Sequence, residues 1–272
     1  MTDLLDRVRH HYDSAGLTEK LKSALAPLGA DDQPLTPHAL GTLDQFHTRG
    51  LAATTELAEL AEITASMVVL DVGSGIGGPA RFLAATRGCC VTGIDLSEPF
   101  VDAAQYLTQR TGQSGQVSFQ VGSALDLPFE AGTFDVVLLQ HVAMNIADRD
   151  GLYRELRRVL KPAGRLALSE IVLNEGEPIY PVPWARTPET SFLLTASETV
   201  RVIEQADFHM LKWQDETEQA KQWSLALRDS GPPPSPNLGL VMGPDYAELV
   251  GNLGRNLNQD RLGVVSAVFE AA

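Results

Sequence analysis

The chain has 272 residues, of which 44% are hydrophobic, and this length is enough to bury the core of one large domain. Its 35 acidic residues outnumber the 21 lysines and arginines, so the formal net charge is −14. A surface this negative repels phosphate backbones and anionic lipid heads, which argues against nucleic acid and membrane surfaces as partners.

The first part of the chain is predicted to be helical. Apolar residues recur at helical spacing in LLDRVRHHY, LTEKLKSALAPL and TRGLAATTELAELAEI, whereas no strand pattern of any strength is present. The start of the chain lacks the apolar stretch of a signal peptide, and no run of about 18 apolar residues marks a membrane span. We therefore expect an N-terminal helical cap over residues 1–64 and a cytoplasmic protein.

From about residue 67, short apolar runs alternate with helical segments. The runs are MVVLDV, CCVTGID, VSFQVG, FDVVLLQ and GRLALSEIVL, and the helical segments are GGPARFLAAT, EPFVDAAQYLTQRT and DRDGLYRELRRVLKP. This rhythm predicts right-handed βαβ crossovers and thus an α/β fold, a mostly parallel sheet with helices on both faces. Cys89 and Cys90 lie in one of the runs, so we expect them to be reduced core residues of a strand.

The rest of the chain is expected to complete this domain and to carry an insertion. A helix is predicted around 197–206, a strand in FHMLKWQDET and a final strand in RLGVVSAVFEA. Between these strands lie the amphipathic EQAKQWSLALRD, the flexible GPPPSPNLG and a helix from Asp245. We therefore expect one Rossmann-like domain over residues 65–272, with a helical lid inserted over about 218–261.

A glycine-rich loop follows the first predicted strand. VGSGIGG has the spacing Gly-x-Gly-x-x-Gly from Gly73 to Gly78, and such glycines let a ligand approach the backbone at a helix start. Asp95 ends the next predicted strand, 22 residues after Gly73, where a carboxylate can accept the hydroxyls of a ribose. These features fit both a dinucleotide and another nucleoside cofactor.

Asp71 favours one of these cofactors. It lies two residues before Gly73, so we expect its side chain on the same face of the strand and near the ligand. A carboxylate there would repel the pyrophosphate of a nicotinamide dinucleotide and would attract a cationic ligand. A nicotinamide-dependent oxidoreductase stays as the alternative from another class, and it predicts binding of NAD(H).

At these motifs the sequence resembles the class I S-adenosylmethionine-dependent methyltransferases. LDVGSGIGG is similar to the first motif of that family, GIDLS to its ribose-binding acid, GSALDLPF to its adenine loop, and FDVVLLQHV and LKPAGRLALSE to its later motifs. The subgroup that it most resembles contains sarcosine and dimethylglycine N-methyltransferases and enzymes that modify quinones and natural products. The resemblance implies a seven-stranded Rossmann-like sheet whose last strand runs antiparallel.

The resemblance also implies which residues bind the cofactor, S-adenosyl-L-methionine. Carried onto this sequence they are Asp71, Gly73, Ser74, Gly75, Gly77, Asp95, Leu96, Ser123, Ala124, Leu125 and Gln140, with Gln45 from the cap segment DQFHTRGLAAT. His47 and Tyr12 are further candidates from the cap. The chain departs from the family at Ser123, where an aspartate usually takes the adenine amino group. Two alternatives stay open: Ser123 or Asp126 substitutes for that carboxylate, or the cofactor binds in the same mode with lower affinity.

His141 and Glu170 are the candidate catalytic residues. His141 follows the fourth strand at its carboxyl end, where open α/β sheets place ligands, and a neutral imidazole can accept a proton from the methyl acceptor. Glu170 lies toward the end of the next strand, and since adjacent strands are about 4.8 Å apart, we expect a base–acid dyad. In the alternative, His141 contacts its ligands only through shape and Glu170 pairs with a cation. The other histidines lack metal-ligand spacing, so no metal is expected.

These motifs predict methyl transfer from S-adenosylmethionine to a small-molecule acceptor, at oxygen or carbon rather than nitrogen, in secondary or small-metabolite biosynthesis. The expected walls of the acceptor site are Val142–Ile146, Pro183, Trp184, Phe192 and Leu193, with Trp223, Leu227 and Met242 in the lid. A homodimer is the expected assembly. The rivals are an enzyme of the same fold that catalyses a cyclisation with the cofactor as scaffold, and a non-catalytic binding module.

Overall fold

A computed structural model of the chain describes residues 16–28, 35–230 and 235–272. The predicted helix LLDRVRHHY, with His10 and His11, and Tyr12 lie outside these ranges. The first described helices are α1 (Leu17–Leu25), α2 (Gly41–Asp44) and α3 (Leu51–Leu60), with a 3₁₀ turn at Ala26–Leu28. The leucines of α1 recur every four residues and are buried, so α1 packs through one apolar stripe.

In the described part of the chain, seven strands form one sheet in the order β3-β2-β1-β4-β5-β7-β6. They are β1 (Val68–Val72), β2 (Cys90–Asp95), β3 (Val117–Val121), β4 (Phe134–Gln140), β5 (Leu160–Leu173), β6 (Phe208–Asp215) and β7 (Leu262–Ala271). β1 to β5 pair in parallel, and β7 is antiparallel to both β5 and β6. The predicted fold class and the antiparallel last strand are therefore confirmed.

Helices cover both faces of the sheet. They are α4 (Gly78–Arg87), α5 (Glu98–Arg110), α6 (Arg149–Val159) and α7 (Ala196–Glu204), with 3₁₀ turns at Ala143–Asn145 and Pro188–Thr190. Val136 and Leu138 of β4 belong to one buried apolar cluster, whereas Val137 and Leu139 belong to another. β4 is almost entirely apolar because it is covered on both sides.

Among the residues that the structure describes, three further helices lie between β6 and β7, where the sequence predicts the insertion. They are α8 (Thr217–Ser230), α9 (Gly239–Met242) and α10 (Tyr246–Asn258), and we refer to residues 217–258 as the insertion. Leu253 and Leu257 of α10 join a buried cluster with Trp184 and Val264. The division of the chain into cap, core domain and lid stays a prediction.

The two adjacent cysteines differ in their environment. Cys89 is buried, as predicted, but Cys90 is exposed, so its prediction as a core residue is wrong. Successive residues of a strand point to opposite sides, and Cys90 is the first residue of β2, where the sheet is not yet covered. No helix in the described ranges is long and apolar enough to cross a membrane.

Candidate active site

The glycine loop follows the carboxyl end of β1. The strand order reverses direction at this strand, because β2 lies on one side of β1 and β4 lies on the other. This reversal is where open α/β sheets form a ligand crevice. Gly73, Gly75 and Gly77 all have positive φ, a conformation that favours glycine. A Cβ at Gly73 would clash with Val142, whereas a Cβ at Gly75 would meet no atom within 4 Å. The loop is therefore packed at Gly73 and open at Gly75.

A cavity of about 490 Å³ opens at this edge of the sheet. Nine of the predicted site residues line it: Gly73, Gly75, Asp95, Leu96, Ser123, Ala124, Leu125, Gln140 and His141. Five do not line it: Gln45, Asp71, Ser74, Gly77 and Glu170. Eight of the twelve predicted cofactor residues and His141 therefore line one cavity, whereas four predicted cofactor residues and Glu170 do not.

Asp95 holds the glycine loop against the end of β2. Its Oδ2 accepts a hydrogen bond from the backbone N of Gly75 at 2.8 Å, and its Oδ1 accepts one from Ser97 N at 2.9 Å. Burial raises the pKa of Asp95, and these backbone hydrogen bonds act in the opposite direction. Each oxygen of the carboxylate keeps further lone pairs, with which it can accept hydroxyl groups from a ligand in the cavity.

Asp71 lies beneath the loop, not in the cavity. Its side chain is buried, and its Oδ2 has no hydrogen-bond partner within the part of the chain that the structure describes. Burial, followed by the negative charge of Asp95, raises the pKa of Asp71 to about 7. Asp71 is therefore partly neutral at neutral pH, which weakens the electrostatic case against a pyrophosphate. Its predicted contact with the cofactor stays a prediction.

A buried ion pair that the sequence did not reveal connects the cap to the glycine loop. Arg81 of α4 is fully buried, and it donates to Asp44 Oδ2 and to the backbone carbonyl of Ile76, both at 2.8 Å. The segment PARFLAAT places Arg81 among apolar residues, and this is the sequence signal that could have pointed to a buried partner. Because Ile76 belongs to the glycine loop, the ion pair fixes that loop relative to the cap.

His141 lies directly after β4 in a strained position. Its φ is 55°, its backbone N donates to Ser169 O at 2.8 Å, and its Nε2 lies 3.3 Å from Thr48 Oγ1 of the cap. The ring of His47 is 6.0 Å away, centroid to centroid. Burial is the main cause that holds the pKa of His141 well below its ordinary value, so the imidazole is neutral at neutral pH. Thr48 was not among the residues predicted from sequence.

Glu170 does not hydrogen-bond to His141, so the predicted direct contact of a dyad is wrong. Its Oε1 accepts from Val142 N and Ala143 N, both at 3.1 Å. Gln140, the last residue of β4, is paired with Ser169, so Glu170 lies beside the turn that follows the strand. The positive φ of His141 takes that residue out of the extended conformation, so its side chain does not follow the alternation of β4. Burial raises the pKa of Glu170 to about 7. The catalytic roles of both residues stay predictions.

Gln45 and Ser123 use their polar groups within the protein. Gln45 is buried in the cap, where its Oε1 accepts a hydrogen bond from Thr54 Oγ1 at 2.8 Å. The hydroxyl of Ser123 accepts from Leu125 N at 3.2 Å and so stabilises the loop after β3. Asp126 is exposed and does not line the cavity.

Several of the predicted acceptor-site walls do line the cavity. They include Val142, Met144, Asn145, Ile146, Pro183, Trp184, Trp223 and Met242, whereas Phe192, Leu193 and Leu227 do not. The sequence did not single out Phe46, Phe100, Tyr246, Val250 and Leu253, which also line it. His38 and His209 are exposed, and the described ranges contain no group of three or more His, Cys, Asp or Glu side chains that could hold a metal ion.

Three features place the structure in the class of nucleoside-binding α/β domains. They are the crevice where the strand order reverses, the glycine loop and the carboxyl group at the end of β2. Residues 70–168 match the family described as "Methyltransferase domain", so this part of the chain is a methyltransferase domain. The relative "Methyltransferase GfsG" from Streptomyces halstedii is 35% identical over 133 residues, which cover 49% of this chain and 48% of the relative. The chain spans between about a third and a half of the curated relatives that it matches.

Solved structures share the whole fold. The [4+2]-cyclase SpnF has a TM-score of 0.67 at 23% identity, with 93% of this chain and 94% of that chain covered. Geranyl diphosphate C-methyltransferase from Streptomyces coelicolor A3(2), crystallised with S-adenosyl-L-homocysteine, has a TM-score of 0.72 at 17% identity, with 99% and 98% covered. At these sequence identities, the structural similarity establishes the shared fold alone.

Proposed function

We propose that the protein transfers a methyl group from S-adenosyl-L-methionine to an oxygen or carbon atom of a small molecule in secondary or small-metabolite biosynthesis. The observation that carries the proposal is the cavity at the edge of the region that matches the methyltransferase family, where the carboxyl group of Asp95 and the neutral imidazole of His141 lie at the same edge of the sheet. Methyltransferase GfsG, a relative by sequence, carries this reaction class in its name.

The residues at the cavity fit this cofactor. Gly75 leaves open space in front of the loop, and Asp95 offers acceptors for a ribose. Gln140 also lines the cavity, and both polar atoms of its buried amide lack a hydrogen-bond partner among the described residues. A buried amide without partners is costly, so a polar ligand at this place would stabilise the protein. When bound, the cofactor supplies an electrophilic methyl group on a sulfonium.

The chain's own residues would position and deprotonate the acceptor. A neutral imidazole can take a proton from a hydroxyl or an acidic carbon, and such a base is worth about 10²–10⁴-fold in rate. His141 has this protonation state at neutral pH because burial disfavours its charged form. Thr48 contacts its Nε2, and Glu170 holds the turn that begins at Val142. The apolar walls around Trp184 and Trp223 would exclude water.

The test combines binding with turnover. Titration calorimetry with S-adenosyl-L-homocysteine should give a saturable heat, and a screen of candidate acceptors with labelled cofactor should identify labelled product. His141→Ala should lower kcat by about 10²-fold or more while the affinity for S-adenosyl-L-homocysteine stays within a few-fold. Binding of NAD(H) without any response to S-adenosyl-L-homocysteine would contradict the proposal, and equal losses in both parameters would contradict the role of His141.

A cyclisation with the cofactor as scaffold is the second candidate, because a [4+2]-cyclase has the same fold along nearly the whole chain. Measurement of S-adenosyl-L-homocysteine formed per product molecule separates the two reactions. We further propose a cytoplasmic homodimer that binds no nucleic acid. The net charge of −14 supports the last point, and light scattering after gel filtration tests the assembly.

A further inference from the structure

The cavity has two halves with different linings. The half at the strand tips contains the glycine loop, Asp95 and Gln140, which the proposed function assigns to the cofactor. The other half lies toward the insertion, and we call it the acceptor half. It is lined by Met144, Trp184, Trp223, Met242, Val250 and Leu253. These side chains are apolar over most of their surface, so a ligand that fills this half gains mainly from the burial of its own apolar area.

The described lining of the cavity offers no basic partner for an anion. Among the described residues that line it, the acidic side chains are Asp95 and Asp148, and none is a lysine or an arginine. Asp148 is exposed, and its Oδ1 accepts a hydrogen bond from Gly151 N at 2.8 Å at the start of α6. An anionic group in the acceptor half would lose its hydration, and no lysine or arginine on the described lining would pair with it.

We propose that the acceptor is an uncharged, largely apolar molecule, and that the same site rejects phosphorylated molecules of equal carbon skeleton. This inference rests on the proposed function, because it assumes that the strand-tip half holds the cofactor. Burial of apolar surface stabilises the bound neutral molecule, whereas the phosphorylated molecule loses hydration without a basic side chain of the described lining to pair with. The net charge of −14 acts in the same direction at longer range.

Two probes with one carbon skeleton test the charge preference. Geraniol is neutral and geranyl diphosphate is anionic, and both should be titrated into the full chain saturated with S-adenosyl-L-homocysteine. Trp184 and Trp223 line the cavity, and Trp213 of β6 does not, so Trp213→Phe isolates a fluorescence signal from the site. We expect geraniol to bind at least ten-fold more tightly. Equal or tighter binding of geranyl diphosphate, or no response to geraniol, would overturn the proposal.

A pair of lysine variants on α10 tests whether the cavity lining determines the preference for an uncharged ligand. Val250 lines the acceptor half, whereas the neighbouring Gly251 is exposed and has open space around its Cβ position. Val250→Lys should raise the affinity for geranyl diphosphate at least ten-fold, and Gly251→Lys should leave it within two-fold. Both variants add the same charge to the same helix. Equal changes in the affinity for geranyl diphosphate, or no change in Val250→Lys, would contradict a preference that the cavity lining determines.

The outcome can be separated from a failure of the proposed function. Titration with S-adenosyl-L-homocysteine alone, before any probe, tests the cofactor assignment. The ratio of the two probe affinities is then measured with and without that molecule. Absence of S-adenosyl-L-homocysteine binding together with a preference for geraniol would contradict the proposed function and support the apolar site. Binding of S-adenosyl-L-homocysteine without a preference for geraniol would support the proposed function and contradict the proposed acceptor class. The wild-type ratio suffices if a lysine variant does not fold.

Discussion

At the scale of single residues, Asp95 combines a structural role with a proposed ligand contact. It accepts backbone hydrogen bonds from Gly75 and Ser97, and it lines the cavity. Asp95→Ala removes the acceptors for the ribose and frees the loop, so we expect the affinity for S-adenosyl-L-homocysteine to fall about 10–100-fold, as for hydrogen bonds to a charged group. Calorimetric titration measures the change. Asp102→Ala, at an exposed position of α5, is the control, and an equally large effect there would contradict this role.

Glu170 offers a second prediction, because its role as the anchor of a turn differs from a role in proton transfer. Glutamine keeps an oxygen that can accept from Val142 N and Ala143 N, whereas alanine keeps none. We expect Glu170→Gln to retain kcat within about ten-fold and Glu170→Ala to lose more, with a rise in the KM of the acceptor. Kinetics with labelled cofactor measures both parameters. Equal losses of kcat in the two variants would indicate that the carboxylate itself is needed.

At the scale of secondary-structure elements, the ion pair between Asp44 and Arg81 ties α2 to α4 and to the glycine loop. Arg81→Met leaves the carboxylate of Asp44 buried without its partner, a change that costs about 3–5 kcal/mol in other proteins. We expect a loss of this size in the free energy of unfolding by urea. Arg87→Met is the control, since its ion pair with Glu59 is partly exposed and should contribute less than about 1 kcal/mol. Similar losses in both variants would contradict a special role for Arg81.

The elements also show what the sequence could and could not predict. The apolar runs of the central strands β1 and β4 identified these strands because they are covered on both faces, and the glycine loop and Asp95 identified the edge where the cavity opens. The missing contact between Glu170 and His141 depends on the positive φ with which the chain leaves β4 at His141, and apolar runs do not specify such a turn. Asp44 and Arg81 are 37 positions apart, and no local pattern connects them.

At the scale of the whole molecule, the cavity lies between parts of the chain that are distant in sequence. Thr48 from the cap contacts His141, and Arg49 forms an ion pair at 2.7 Å with the buried Glu216 just before α8. The backbone N of Leu238 in the insertion donates to Thr42 O at 3.0 Å. Cap, sheet and insertion therefore contact one another around the cavity, so a ligand bound there should raise the stability of the whole fold.

The buried titratable groups give this molecule a defined dependence of stability on pH. The pKa values of Asp71 and Glu170 are raised to about 7 from ordinary values of 3.8 and 4.5. The folded state therefore binds more protons than the unfolded state in this window, and stability falls as the pH rises through it. The pKa of His47 is lowered to about 4 from 6.5, so its contribution is complete above pH 6.5 and is lost as the pH falls toward 4.

Above pH 6.5 the contribution of His47 no longer changes, which leads to a prediction for the alkaline side. Between pH 6.5 and 8.5 each of the two acids should remove about 1 kcal/mol from the free energy of unfolding, and the negative net charge adds to the decline. Asp71→Asn eliminates the titration of one of these acids. The free energy of unfolding of this variant should therefore decline over the same pH range by about 1 kcal/mol less than that of the wild type. Urea unfolding at several pH values measures both declines. Asp102→Asn at the surface should leave the decline unchanged. Stability that rises with pH in the wild type, or an unchanged slope in Asp71→Asn, would show that Asp71 is already ionised below pH 6.5.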